Sequence, residues 1–131
     1  MFQLTEIKEA HSKVKSGADF PKYVQDLIGL GVKKYDTYVD DGHTLYFGEN
    51  NYQIKSEPKY SKLDVAKAGN SEKFKQFLKA HQQGQTDYPT FCNHAAETGV
   101  DKWTVDMNKM TCTYFDKTNN SMLEEEIPAF K

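Results

Sequence analysis

The sequence has no long hydrophobic run and no excess of basic residues. Its 131 residues include 17 Lys and Arg against 19 Asp and Glu, and no stretch collects basic residues without nearby acids. A surface that follows nucleic-acid phosphates needs a basic stripe, and a membrane-spanning helix needs roughly 20 apolar residues. We therefore expect neither nucleic acid nor a membrane as a partner.

Cysteine is also scarce. Cys92 and Cys112 are the only two, and they lie far apart in the chain. The first residues, MFQLTEIKEAH, place Glu6 and Glu9 where a signal peptide has an uninterrupted apolar segment. Together these features predict a cytoplasmic protein with reduced thiols.

Motifs of known catalytic chemistry are missing. The sequence has no glycine-rich phosphate loop, no Gly-x-Ser-x-Gly, no Cys-x-x-Cys and no His-Glu-x-x-His. We expect no catalytic residue of these kinds, no bound metal and no cofactor, and the balance favours a protein that is not an enzyme.

Aromatic residues, by contrast, are plentiful. They form 13% of the chain, which supplies apolar volume that a disordered chain would lack. A chain of 131 residues is long enough to bury a core. We predict a single domain over residues 1–131.

The most informative pattern is an internal repeat at a constant offset of 68 residues. Eight identical pairs occur between positions 19 and 51 without a gap: Asp19/Asp87, Pro21/Pro89, Gly31/Gly99, Val32/Val100, Lys34/Lys102, Tyr46/Tyr114, Phe47/Phe115 and Asn51/Asn119. Such self-similarity indicates duplication. We interpret the chain as two units, roughly 4–56 and 73–127, joined by a connector at 57–70.

Each unit reads as two helices followed by three strands. The first helices are predicted at about 5–15 and 72–83 from apolar residues at helical spacing. The second helices begin at DFPKY and DYPTF, where Asp19 and Asp87 are suited to cap the helix and proline fits its first turn. Alternating residues around turn signals then predict a three-stranded antiparallel meander in each unit.

The predicted fold class is therefore α+β. It is an internal duplication of an α-α-β-β-β unit, with antiparallel strands and helices packed on one face. One continuous six-stranded sheet and two facing sheets both fit the pattern.

Strand alternation also assigns side chains to faces. We expect the helix side to hold Tyr35, Thr37, Val39, Leu45, Phe47, Trp103, Val105, Met107, Thr113 and Phe115. The opposite, uncovered face is then expected to carry Tyr38, Tyr46, Cys112 and Tyr114. Exposed amphipathic rings suit a ligand-binding surface or an interface, including a homodimer through this sheet face.

A second candidate site lies at the first hairpin turn. Asp40, Asp41 and His43 stand close together in the sequence, so a small enzyme could use His43 with its acidic neighbours. The alternative is that Asp-Asp-Gly serves only the geometry of the turn.

Several stretches resemble a known family. They include "IKEAHSKVKSGADFPKYVQDL", "GVKKYDTYVDDGHTLYFG", "LKAHQQGQTDYPTFCN" and "MTCTYFDK". These look like a family of small uncharacterised bacterial proteins that often occur in prophages and are sometimes labelled "phage envelope protein". The resemblance implies a cytoplasmic bacterial protein with a prophage link, but no activity, ligand or site residue.

The leading functional prediction is a non-enzymatic ligand- or protein-binding module. One alternative is the small enzyme that uses Asp40, Asp41 and His43. The other is a minor structural phage component, which rests on the family label.

Overall fold

A computed structural model describes residues 2–14 and 19–127. The helices are α1 (Leu4–His11), α2 (Phe20–Leu30), α3 (Ser71–Gln82) and α4 (Tyr88–Glu97). The strands are β1 (Lys34–Tyr38), β2 (Thr44–Phe47), β3 (Gln53–Lys55), β4 (Lys102–Asp106), β5 (Thr111–Phe115) and β6 (Ser121–Glu126). The order α-α-β-β-β thus occurs twice along the chain.

All six strands form one sheet, in the order β3-β2-β1-β4-β5-β6. Every neighbouring pair is antiparallel, and the central pair β1–β4 joins the first half of the chain to the second. The α+β class is confirmed, and the sheet is continuous. The duplication and the domain boundaries stay predictions.

The helix starts follow local capping chemistry. At α4 the backbone of Asp87 is extended (φ −81°, ψ 171°), and its carboxylate accepts a hydrogen bond of 2.8 Å from the Thr90 N–H. This confirms the cap predicted for Asp87. Asp19 also precedes its helix, but its backbone is already helical (φ −87°, ψ −7°). The side chain of Asn70 accepts from the Lys73 N–H and caps α3.

Residues repeated at the 68-residue offset share backbone conformations. Gly31 and Gly99 both have positive φ, at 101° and 86°, and Asn51 and Asn119 have φ of 63° and 65°. Glycine and asparagine are the residues that adopt this region at least cost. At Gly99 a Cβ would also lie 2.6 Å from the Ala68 carbonyl oxygen, so glycine alone fits.

The core lies between the helices and one side of the sheet. The Phe74 ring of α3 packs 4.8 Å from that of Tyr114, and the Phe91 ring of α4 packs 5.8 Å from that of Trp103. In the first half, Leu27 of α2 is fully buried. Among the described helices, none combines the length and the apolar character that a bilayer span requires.

The connector is held by backbone hydrogen bonds. Leu63 donates to the Asp40 carbonyl, Ala66 donates to the Ala96 carbonyl, and Asn70 donates to the Thr98 carbonyl. The segment between the halves is therefore packed against the β1–β2 turn and the end of α4.

Candidate functional site

Strand register decides which side chains share a face, because cross-strand partners point the same way. Tyr35 pairs with Tyr46 in the first hairpin. In the second hairpin, Trp103 pairs with Tyr114 and Val105 pairs with Cys112. All of these side chains therefore lie on the helix side of the sheet.

The prediction that Tyr46, Cys112 and Tyr114 occupy the uncovered face is wrong. They are only 5%, 7% and 7% exposed. Burial raises the pKa of the Cys112 thiol to about 12 and raises the pKa of the Tyr114 phenol well above its usual value. Of the predicted residues, only Tyr38 lies on the side away from the helices.

The error has one physical cause. In both hairpins, odd-numbered residues of the first strand pair with even-numbered residues of the second, as in Thr37 with Thr44. The even-numbered residues of β2 and β5 therefore face the helices, whereas the odd-numbered residues were expected there. A shift of one residue in register moves every side chain of a strand to the other face. Leu45, Phe47, Thr113 and Phe115 consequently lie outside rather than toward the helices.

We call the side of the sheet away from the helices the open face. Its side chains, read across the six strands, are Gln53, Lys55, Leu45, Phe47, Lys34, Asp36, Tyr38, Lys102, Thr104, Asp106, Thr111, Thr113, Phe115, Ser121, Glu124 and Glu126.

Two equivalent Lys–Phe pairs stand on the open face. Lys34 and Phe47 are cross-strand partners, and the Lys34 ammonium lies 4.9 Å from the centre of the Phe47 ring. Lys102 and Phe115 are also partners, with the ammonium 5.5 Å from the ring centre. All four belong to the repeated identities. Cation–π contact and apolar lysine stems shield both rings in part.

The centre of the open face holds a buried carboxylate. Asp36 is only 7% exposed, and its Oδ1 accepts a hydrogen bond of 2.6 Å from the Thr104 hydroxyl. The Lys102 ammonium lies 3.9 Å from the other carboxylate oxygen. A buried charge needs such partners, so this polar centre fixes how β1 and β4 meet.

Charge is distributed unevenly between the two edges of the open face. Exposed Lys55 lies on edge strand β3, whereas exposed Glu124 and Glu126 lie on edge strand β6. In the row of side chains that crosses Asp36 and Thr104, Lys55 stands at one end and Glu124 at the other. The open face is thus basic on one side and acidic on the other.

One corner of the open face forms a shallow groove. Its volume is about 460 Å³, and its lining includes Lys34, Phe47, Tyr52 and Asp106. The groove opens to solvent, whereas small-molecule sites bury most of their ligand. This shape suits a contact surface for a macromolecule.

The β1–β2 turn brings Asp40, Asp41 and His43 together, as their spacing predicts. The imidazole Nδ1 of His43 lies 2.5 Å from Asp41 Oδ1, which also accepts a 3.0 Å hydrogen bond from the His43 N–H. Partial burial acts to raise the pKa of Asp41, but these hydrogen bonds outweigh it and hold the pKa below its usual value. The His43 ring stacks on Tyr38 at 4.6 Å.

A pair of phenols beside the buried thiol of Cys92 is not evident in the sequence, because its members come from distant segments. Tyr60 of the connector and Tyr88 of α4 lie beside the thiol. Burial raises the pKa of Cys92, while burial lowers the pKa of the nearby Lys59 ammonium. A thiol kept protonated is a weak nucleophile, and Cys92 is only 1% exposed, so it acts as a core residue.

Comparison with known proteins gives one family match. The model of a family described as "Protein of unknown function (DUF1398)" matches residues 8–126, which is most of the chain. No curated protein matches.

Proposed function

Since the chain belongs to the DUF1398 family of proteins of unknown function, we propose from its geometry that it is a protein-binding module whose open face binds a second copy of the chain. The observation that carries this proposal is the repeated pair of Lys34 with Phe47 and Lys102 with Phe115 on that face. These four repeated residues contribute neither to the helix-side core nor to a special backbone conformation. A contact role accounts for rings held at the surface in this way.

Charge complementarity selects the partner and its orientation. Two sheets that pack face to face keep their strands within about 30° of each other, roughly 10 Å apart. A twofold axis along the strands places β3 of one copy over β6 of the other. Lys55 then faces the partner's Glu124, and Lys34 faces the partner's Asp106. An axis across the strands would instead place acidic β6 on acidic β6, which is unfavourable.

The size of the open face sets the strength of the contact. The six strands have three to six residues each and lie about 4.8 Å apart, so they cover roughly 450 Å² per copy. Stable interfaces bury about 800 Å² per partner. We therefore expect a dimer that dissociates at micromolar concentration and weakens as salt screens its charge pairs.

Sedimentation equilibrium between about 1 μM and 1 mM tests the proposal. The wild-type chain is expected to dimerise, and Lys55→Glu and Glu124→Lys are each expected to weaken dimerisation at least about tenfold. An equimolar mixture of these variants should restore it, because each mixed dimer regains two opposite-charge contacts. The double variant K55E/E124K should also dimerise.

Helix-side substitutions supply the controls. Lys8 of α1 and Glu97 of α4 are exposed and lie on the other side of the sheet. Lys8→Glu and Glu97→Lys make the same charge changes and should leave dimerisation unaltered. A wild-type chain that stays monomeric at 1 mM, or a mixture that fails to recover, contradicts self-association through the open face.

The prophage link implied by the resemblance is tested separately. Mass spectrometry of particles released after prophage induction should detect the chain if it is a minor structural component. Repeated absence from purified particles would remove that alternative.

A further inference from the structure

We propose that Asp40, Asp41 and His43 bind one divalent first-row transition-metal ion, such as Zn²⁺ or Mn²⁺. Each of the three partly buried residues offers a ligand atom, and these atoms lie within 4.8 Å of one another. Two carboxylates and an imidazole form a mixed oxygen–nitrogen set. The imidazole favours zinc over calcium and magnesium, which prefer oxygen ligands, and the two carboxylates also suit manganese.

A second observation points to a cation at this turn. Oδ1 of Asp40 is shielded from solvent, and no N–H or O–H group in the described part of the chain donates to it; its carboxylate lies within hydrogen-bonding distance of the Asp41 carboxylate. A shielded oxygen without a partner loses the free energy of its hydration. The Asp41 carboxylate lies beside it, so a positive ion between the two would compensate both.

The turn is held rigidly by the connector. Leu63 donates to the Asp40 carbonyl at 2.6 Å, and Lys59 donates to the Asp41 carbonyl at 2.8 Å. The Tyr60 hydroxyl donates to the Val39 carbonyl at 2.6 Å. These bonds engage the backbone carbonyls of the turn rather than the carboxylates of Asp40 and Asp41. Ligands fixed in this way lose little conformational entropy when an ion binds.

Gly42 adds to this rigidity. It has φ of 77°, and a Cβ at this position would lie 2.7 Å from the Tyr60 ring. The connector therefore covers the turn closely, and glycine is required for both the backbone conformation and the space.

The equivalent turn of the second hairpin provides an internal comparison. There, Oδ1 of Asp106 accepts hydrogen bonds from the backbone N–H groups of Asn108 and Lys109, at 2.9 and 3.0 Å. Within residues 2–14 and 19–127, no second group of three His, Cys, Asp or Glu side chains has comparable spacing. Only the first turn carries the ligand set.

Titration calorimetry with ZnCl₂ alone, after treatment of the intact chain with chelator, tests this site. Native mass spectrometry counts bound ions, and loss of the free Mn²⁺ signal in electron paramagnetic resonance gives an independent measure. We expect one ion per chain. Asp40→Asn and His43→Asn should each weaken binding about tenfold or more, because the first removes a carboxylate charge and the second removes the imidazole ligand.

Two substitutions elsewhere serve as matched controls. Asp106→Asn changes the carboxylate of the equivalent turn, and His11→Asn removes an exposed imidazole; both should retain wild-type affinity. Circular dichroism checks that every variant is folded, and Asp40→Asn decides the outcome if His43→Asn unfolds.

Absence of saturable binding at about 1 mM ion would overturn the proposal, since the turn would then hold its two carboxylates without a metal ion. Equal affinity in Asp40→Asn and wild type would overturn it as well, because the ion would then bind elsewhere. Neither result depends on dimerisation, which is measured without added metal.

Discussion

The Thr104 hydroxyl donates a 2.6 Å hydrogen bond to Asp36, the residue 68 positions earlier. Asp36 and Thr104 are also direct cross-strand partners in the central pair β1–β4. The offset that aligns the two halves of the sequence is thus the separation of the two residues at the middle of the sheet. In the pattern of strand pairing, a rotation about an axis through this pair brings the strands of one half onto the corresponding strands of the other half.

Thr104→Val should lower the free energy of unfolding by about 1–3 kcal/mol, because it leaves a buried carboxylate oxygen without its donor. Chemical denaturation measures the change. Thr113→Val is the matched control, since the Thr113 hydroxyl donates to exposed Glu124. That variant should cost less than about 1 kcal/mol. Equal losses of unfolding free energy would show that the hydrogen bond between Thr104 and Asp36 stabilises the fold no more than the exposed one between Thr113 and Glu124.

Adjacent residues on β5 should respond differently to truncation. Tyr114 is 7% exposed within the core, whereas Phe115 lies on the open face. Tyr114→Ala should cost about 3–5 kcal/mol, and Phe115→Ala about 1–2 kcal/mol. Urea unfolding of both variants checks the register, and the reverse order would refute the assignment of faces.

Stability should fall steeply at alkaline pH. Burial raises the pKa of Tyr35 and Tyr114 well above the ordinary phenol value. A group with a raised folded-state pKa contributes its full stability below the unfolded-state pKa, which is about 10 for tyrosine, and loses it as pH rises further. Each such phenol adds about 1.4 kcal/mol per pH unit to the decline.

Tyrosinate absorbance near 295 nm, followed together with circular dichroism, checks this. Ionisation of the buried phenols should coincide with unfolding above pH 10. Tyr35→Phe should make the decline shallower. Full ionisation near pH 10 in a chain that stays folded would contradict the burial of these phenols.

Gly99 and Gly84 offer a matched pair of substitutions. Both have positive φ, at 86° and 77°, but a Cβ at Gly99 would meet the Ala68 backbone at 2.6 Å, whereas none of the described atoms lies within 4 Å at Gly84. Gly99→Ala should therefore cost about 1–3 kcal/mol more than Gly84→Ala. Similar melting temperatures for the two variants would show that the connector moves away easily.

Much of the architecture follows from local signals in the sequence. Some residue types are favoured by a particular backbone conformation, such as the proline that follows Asp87 in the first turn of α4, glycine at position 31 and asparagine at position 51. The helix starts and turns are therefore predictable. The hairpin triad is also predictable, because Asp40, Asp41 and His43 are close in sequence.

The face of each strand is not predictable in the same way. It depends on how many residues the turn between β1 and β2 leaves unpaired, and one residue reverses the alternation. Leu45 and Phe47 are more apolar than Tyr46, so hydrophobicity alone would place Leu45 and Phe47 toward the helices, which is the wrong face. Likewise, the contact of Asp36 with Thr104 depends on which strands meet at the centre of the sheet, which no local pattern encodes.

The two outer strands have a consequence for aggregation. An edge strand exposes unpaired backbone N–H and C=O groups, to which further chains can add. β3 spans only Gln53–Lys55, and β6 ends in three consecutive glutamates, Glu124–Glu126. A very short edge at one end and like-charge repulsion at the other both oppose the addition of strands. The sheet is therefore protected against fibre-like growth along its edges.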